Sequence, residues 1–445
     1  MKMISKLFAH LTFLFVLGCL HLPSNANTEK HQSNQSKDTP ILLKAKAYVD
    51  VKNGRLVTPA NILINQGVVE SINSKKIPES LRIIELPNKI LLPGLMDMHT
   101  HLDLDFNGSW DHIFTKENAS MGALRAARNA KLTLDAGFTT VRNMGQGHIT
   151  HELINVALDE ASKQGWASAP DIFPAGHMVT IEGGHGDLTM GYSEGLIEVG
   201  ANHGVVNSVD DVVKAVRYQI KHGAKVIKIH ATAGVLSLEE SVGAQQLSDA
   251  EMKAAVEEAH RHHLKVGAHA HGTDGIIAAI EAGVDSIEHG SLIDKKAIKM
   301  MKAKGTFLVP TTGLVEYIQP MLPKMNPKMR EKAEYVLPLA KKRLTQAIKS
   351  GVKIALGSDS PVIPHGKNAA ELVALVERGM TASQALQAAT VNSAELLGVK
   401  DRGEIKVGLR ADIIAVDENP LEKIETVMNV VFVMKHGEVI KSTHK

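Results

Sequence analysis

The sequence predicts an α/β fold: a (β/α)8 barrel of the TIM type, with a small β-domain formed from both chain ends. Three observations carry this expectation. From about residue 93 to residue 400, short apolar segments ending in polar residues alternate with helical stretches. Both flanks instead carry short β-type runs separated by two-residue turns. The chain has 445 residues, 44% of them hydrophobic and 22% charged, enough for a large core with a satellite domain.

Residues 1–26 read as an export signal. Lys2 and Lys6 precede the apolar run Leu7 to Leu20, and "PSNA" ends at Ala26. This implies a periplasmic or secreted protein. The alternative is a lipoprotein signal, because Gly18 precedes Cys19, the one cysteine of the chain. Residues 27–40, "NTEKHQSNQSKDTP", read as a polar linker. In residues 41–92, turns at Asn53-Gly54 and Gln66-Gly67 predict hairpins, and in residues 401–445 a turn at His436-Gly437 does the same. These two stretches are expected to pair into one small β-domain around the barrel at 93–400.

Eight barrel strands are expected: "GLMDMHTH", "TTVRNMG", "DIFPAG", "KVIKIHA", "KVGAHAH", "SIEHG", "TFLVPTT" and "KIALGSD". An open doubly wound sheet is the alternative. "ALRAARNAKLTLDAG" and "SDAEMKAAVEEAHRHH" are typical intervening helices, the second with Ser248 and Glu251 in capping-box spacing. In either fold, chemistry belongs at the carboxyl ends of the strands. The net charge of +2 excludes a nucleic-acid footprint. The expected partner is a small-molecule substrate, with no membrane association unless Cys19 is lipidated; a homo-oligomer is compatible with the sequence.

The strand ends hold His99 and His101, Lys228, His269 and His271, His289 and Asp359. Residues i and i+2 of a strand share a face, so each H-x-H pair can reach one ion. Chance alone gives about one such pair among 22 histidines. The chain has three, and the pair at His260 and His262 ends a helix, where it reads as surface. Taken singly, His289 is equally well a hydrogen-bonded core histidine and Asp359 a turn cap. Lys228 lies inside an apolar run, where it either snorkels to water or loses its charge. Together, four of these histidines, one aspartate and one misplaced lysine at one end of a barrel suit two divalent ions.

At these residues the chain resembles the amidohydrolase superfamily. "LPGLMDMHTHLD", "TTVRNMG", "VIKIHATAG", "VGAHAHG", "SIEHGSL", "LGSDS" and "GLRADIIAVD" are similar to its successive signatures, over residues 40 to 442. The branch it is most similar to holds imidazolonepropionase-like enzymes and secreted Xaa-Pro-type dipeptidases. The resemblance implies that His99 and His101 bind the more buried ion, most simply Zn²⁺. His269 and His289 would bind the second, a carboxylated Lys228 would bridge the two, and Asp359 would be both ligand and acid/base group. It implies hydrolysis of dipeptides or N-acyl amino acids through a hydroxide bridging the metals, the alternative being a cyclic-amide hydrolase or deaminase of the imidazolonepropionase type. The pattern differs at Asn143, where Asp is expected, and at "HATAG", where Gly-Gly is commoner. His185, in the glycine-rich stretch "GHMVTIEGGHGDLTMGYSEG" that also holds His177, is expected to polarise the carbonyl or bind substrate. His271 is a substrate-contact candidate; Arg142 and His365 are candidates for holding a substrate carboxylate. The segment "LVEYIQPMLPKMNPKMREKAEYV" is a lid candidate, its Met and Tyr residues expected to pack between helices.

Overall fold

The structure, a computed structural model, describes residues 39–106 and 110–443. The export signal at 1–26 and nearly all of the linker at 27–40 lie outside the described residues. Seven parallel barrel strands follow in chain order: β1 (Leu95–Thr100), β2 (Phe138–Asn143), β3 (Asp171–Pro174), β4 (Val226–His230), β5 (Lys265–Ala270), β6 (Ser286–His289) and β7 (Phe307–Val309). They form two arcs, β1-β2-β3 and β4-β5-β6-β7. At one junction, Lys225 N donates to Pro174 O at 2.7 Å, and Val179 exchanges backbone bonds with β4.

The expected eighth strand, "KIALGSD", closes the other junction without forming a continuous ladder. Leu308 N donates to Lys353 O and Ala355 N to Leu308 O on one side. On the other, Met98 N donates to Leu356 O, Asp359 N to His99 O and His101 N to Ser360 O. The break has a local cause. Asp359 has φ +55, which turns the backbone out of the extended region. A Cβ at Gly357 would lie 2.3 Å from Val309 Cγ1 and 2.8 Å from His99 Cβ, so only glycine lets this segment pack so closely. The result is a (β/α)8 barrel.

The barrel strands supply buried Leu95, Ile227, Ile229, Val266, Ala268, Ile287 and Leu308 to the main core. This is the near-continuous apolar content of parallel strands covered on both faces. Between them, the helix Asp249–Arg261 starts with the Ser248–Glu251 capping box read from the sequence. The exposed His260 at its end pairs with Asp285 at 2.9 Å, so this H-x-H lies on the surface.

Outside the barrel, one sheet draws on both flanks of the chain. Its order is Glu438–Ser442, Phe432–Lys435, Ile413–Val416, Arg82–Pro93, Ile41–Asp50, Ala60–Asn65, Val68–Ile72. Two of its hairpins turn at Gln66-Gly67 (φ +49, +77) and His436-Gly437 (φ +48, +78). Both central residues have positive φ, the mirror-image turn that matches strand twist. After β7 the chain forms the helices Leu314–Ile318 and Pro327–Lys349, joined by the 3-10 turn Gln319–Lys324. Val315, Ile318, Val336 and Leu337 pack there. Met321 and Tyr335 are exposed instead of packed as expected, because they fall on the outer face. No helix among the described residues is long and apolar enough to cross a membrane.

Candidate active site

The carboxyl end of the barrel is organised around Glu288 on β6, which is fully buried. Its Oε1 accepts from Arg142 Nη2 at 2.8 Å and from the Ser286 hydroxyl. Its Oε2 meets His99 Nδ1 at 2.9 Å. An ionised carboxylate only accepts, so His99 carries its proton on Nδ1 and turns Nε2 into the barrel mouth. Arg142 is spent on this role. It also donates to Met98 O and Ser286 Oγ, and it is fully buried beneath the site. It cannot hold a substrate carboxylate, which corrects the expectation above.

His101 is oriented in the same way. Its Nδ1 donates to Gly145 O at 2.9 Å, leaving Nε2 as the lone pair. Asn143, where an aspartate was expected, holds this loop: it accepts from Leu102 N and donates to Gly145 O. Asp97 fixes the opposite side, accepting from His99 N, Ser358 N and Asn368 Nδ2. Asp359 Oδ1 then lies 3.5 Å from His99 Nε2 and 3.6 Å from His101 Nε2. Ligands about 2.1 Å from an ion at tetrahedral angles sit roughly 3.4 Å apart. Lys228, 1% exposed, sets its Nζ 3.4 Å from the same His99 Nε2. It does not snorkel to water.

Donor atoms meet in three groups among the described residues: His99, His289 and Asp359; His269, His271 and His289; and His185, His230 and His269. Of these, only His230 was missed by the sequence reading. The signal was present, since His230 stands two residues after Lys228 on the same strand face. His269 Nε2 is buried without a hydrogen-bond partner, while His289 Nδ1 lies 2.7 Å from Thr311 Oγ1 and His271 Nδ1 2.8 Å from Ser291 Oγ. An orphaned, buried imidazole nitrogen beside other imidazoles is the donor chemistry that a divalent ion satisfies.

Burial dominates the electrostatics. It holds His99, His185, His230, His269 and His289 well below the ordinary histidine range, and lowers His101 to about 4 and His271 to about 3. These rings are therefore neutral donors at neutral pH. Burial also lowers Lys228 to about 8 and raises Asp359 to about 7, although each carries the charge that would favour the other's ionised form. An acid near 7 in a pocket is placed to exchange protons at neutral pH.

A cleft opens above these groups. One side is polar: His185, His269, His271, His289, Thr311 and Asp359. The other is an apolar wall from the segment after β7, chiefly Val315, Ile318, Val336 and Leu337. That segment is tied down by buried Lys332, whose Nζ donates to the carbonyls of Gly234, Ser237 and Glu239 in the loop after β4. His185 and His271 thus reach the cleft. His365 does not line it; its Nε2 donates to Leu104 O at 3.1 Å. His177 is buried elsewhere, beside His203.

Residues 90–440 match the family described as the amidohydrolase family. The chain belongs to this family. Its amidohydrolase relatives include the ochratoxinase of Aspergillus niger, 34% identical over 420 residues, covering 88% of this chain and 83% of the relative. Among solved structures, a Xaa-Pro dipeptidase with methionine bound in its active site is 36% identical, with a TM-score of 0.85 over 90% of this chain and 99% of that one. The A. niger ochratoxinase structure superposes with a TM-score of 0.79 at 30% identity, covering 91% and 96%. The protein is a hydrolase acting on C–N bonds.

The neutral histidines set a pH dependence. In the metal-free protein the folded rings stay neutral far below their unfolded value of about 6.5. Between that value and about 4, these rings bind protons only in the unfolded chain, so their contribution to stability rises with pH, against the opposite contribution of the raised carboxyls Asp359 and Glu371. Denaturant midpoints of chelator-treated protein are expected to fall steadily as pH drops from about 6.5 towards 4; a midpoint constant over that window contradicts the buried neutral cluster.

Proposed function

We propose that the protein is a binuclear metal-dependent amidohydrolase that cleaves the amide bond of dipeptides or N-acyl amino acids bearing an apolar group. The observation that carries this reading is the spacing of His99 Nε2, His101 Nε2 and Asp359 Oδ1 beside Lys228, under a cleft with one apolar wall. His99 and His101 would hold one divalent ion, most simply zinc, and His269 with His289 the other. Two ions held there would supply an activated water and polarise the scissile carbonyl.

The chain's own residues do the rest. Asp359 takes a proton as water attacks and gives it to the leaving amine. The apolar wall receives the substrate's side chain, and His185 and His271 contact its polar backbone. The Xaa-Pro dipeptidase and ochratoxinase likenesses support amide hydrolysis. Turnover of a panel of dipeptides and N-acyl amino acids tests the substrate class. Apolar residues are expected to be preferred, and elemental analysis is expected to find close to two ions per active chain. Activity at one ion or none would refute the binuclear site.

Lys228 completes the reading. Burial leaves part of its population as the neutral amine. A neutral amine adds carbon dioxide and releases a proton, giving a carbamate whose two oxygens would be available to the ions. Lys228→Ala is then expected to lose metal and activity together, with partial recovery in formate or acetate. Lys228→Arg cannot carboxylate, because guanidinium stays charged. A fully active Lys228→Arg enzyme with both ions bound would rule out the carbamate.

Export belongs to this proposal as well, resting on residues 1–26 alone. Amino-terminal sequencing of the mature protein is expected to start near Asn27; a lipid on Cys19 would make it an anchored lipoprotein, and an intact Met1 would reject export.

A further inference from the structure

Three imidazoles crowd together beside the proposed metal pair, and only one of them is needed there. His185 comes from the loop after β3, His230 from the end of β4 and His269 from β5. One nitrogen from each lies within 4.8 Å of the others. His185 stacks on His269 with ring centroids 4.2 Å apart, and His230 meets the two edge-on at 5.0 and 5.1 Å. The backbone makes room for this crowding. A Cβ on Gly186 would fall 2.2 Å from His230 Cε1, and one on Gly234 would fall 2.3 Å from His185 Cε1. His230 Nδ1 and His269 Nε2 are buried with no hydrogen-bond partner. His185 is steadied through Nδ1, 2.8 Å from Ser237 Oγ. Buried polar atoms are nearly always paired; the second catalytic ion accounts for His269 Nε2, and His230 Nδ1 still calls for a partner.

The geometry points to an auxiliary cation position formed by His185, His230 and His269, filled when zinc exceeds what the catalytic pair requires. Three imidazoles suit zinc, copper or nickel better than calcium or magnesium. The inference rests on the binuclear reading, because it places this ion after two tighter ones. A neutral imidazole has one lone pair to give. An ion in the auxiliary position therefore takes His269 from the second catalytic ion and His185 from the substrate. Zinc then activates the enzyme up to two equivalents and inhibits it beyond them.

Equilibrium dialysis of the full-length enzyme against rising zinc tests this, with dipeptide turnover read on the same samples. The wild type is expected to bind two ions tightly, then a third weakly, and turnover is expected to fall tenfold or more as the third binds. His230→Gln and His185→Gln, checked for native circular dichroism, are expected to keep the two tight ions and lose the weak one. A wild type that stops at two ions in excess zinc overturns the auxiliary position. So does a third ion bound with unchanged affinity by both variants. A tight count other than two overturns the binuclear reading instead, and the auxiliary position is then judged by whether the weak uptake disappears in the two variants.

Discussion

The contact between Glu288, Arg142 and His99 is the constraint from which the rest of the site follows. A carboxylate and a guanidinium, both fully buried, meet beneath the barrel mouth. Removing one partner of such a pair typically costs about 3–5 kcal/mol, since the other charge is left buried alone. The second oxygen of Glu288 decides which nitrogen of His99 carries the proton, and so which one faces the cleft. Because Arg142 stands on β2, Glu288 on β6 and His99 on β1, the same contact links distant strands across the barrel. Asp97 repeats the device, tying β1 to the closing segment through Ser358 and Asn368.

Much of this was legible in the sequence. The strand ends could be read because apolar runs stop at polar residues, and the ligand candidates stand at those stops. The hairpin turns and the Ser248 cap were legible because their residue preferences are local. The eighth segment was harder. Its apolar run reads as a strand, yet Gly357 and the positive φ of Asp359 bend it into a set of separate bonds.

Arg142 shows where sequence reasoning runs out. An arginine in a strand near a site has two uses, binding an anion outside or neutralising one inside. The choice depends on Glu288, which lies 146 residues away in sequence and is joined to it only by the fold. His365 failed for a similar reason, since the carbonyl it meets, Leu104 O, belongs to the loop after β1. His230 shares a strand face with Lys228, but a lone histidine in an apolar strand reads equally well as core, and only the fold brings His185 and His269 beside it. The apolar wall of the cleft comes from residues that read equally well as ordinary helix packing, and only their position over the histidines gives them another use.

The order of strands in the outer sheet bears on how the chain comes into being. Arg82–Pro93 lies between Ile41–Asp50, made just before it, and Ile413–Val416, made more than three hundred residues later. The barrel has the same arrangement, with β1 waiting for the segment that carries Asp359. During synthesis, each early strand therefore has an unpaired edge for as long as the middle of the chain is being made. Such edges invite pairing with other chains. The histidines of β1 likewise emerge long before their carboxylate partner, so the ion site is assembled only as the ring closes. In a protein with this topology, the donor atoms at the barrel mouth come together only at the end of folding.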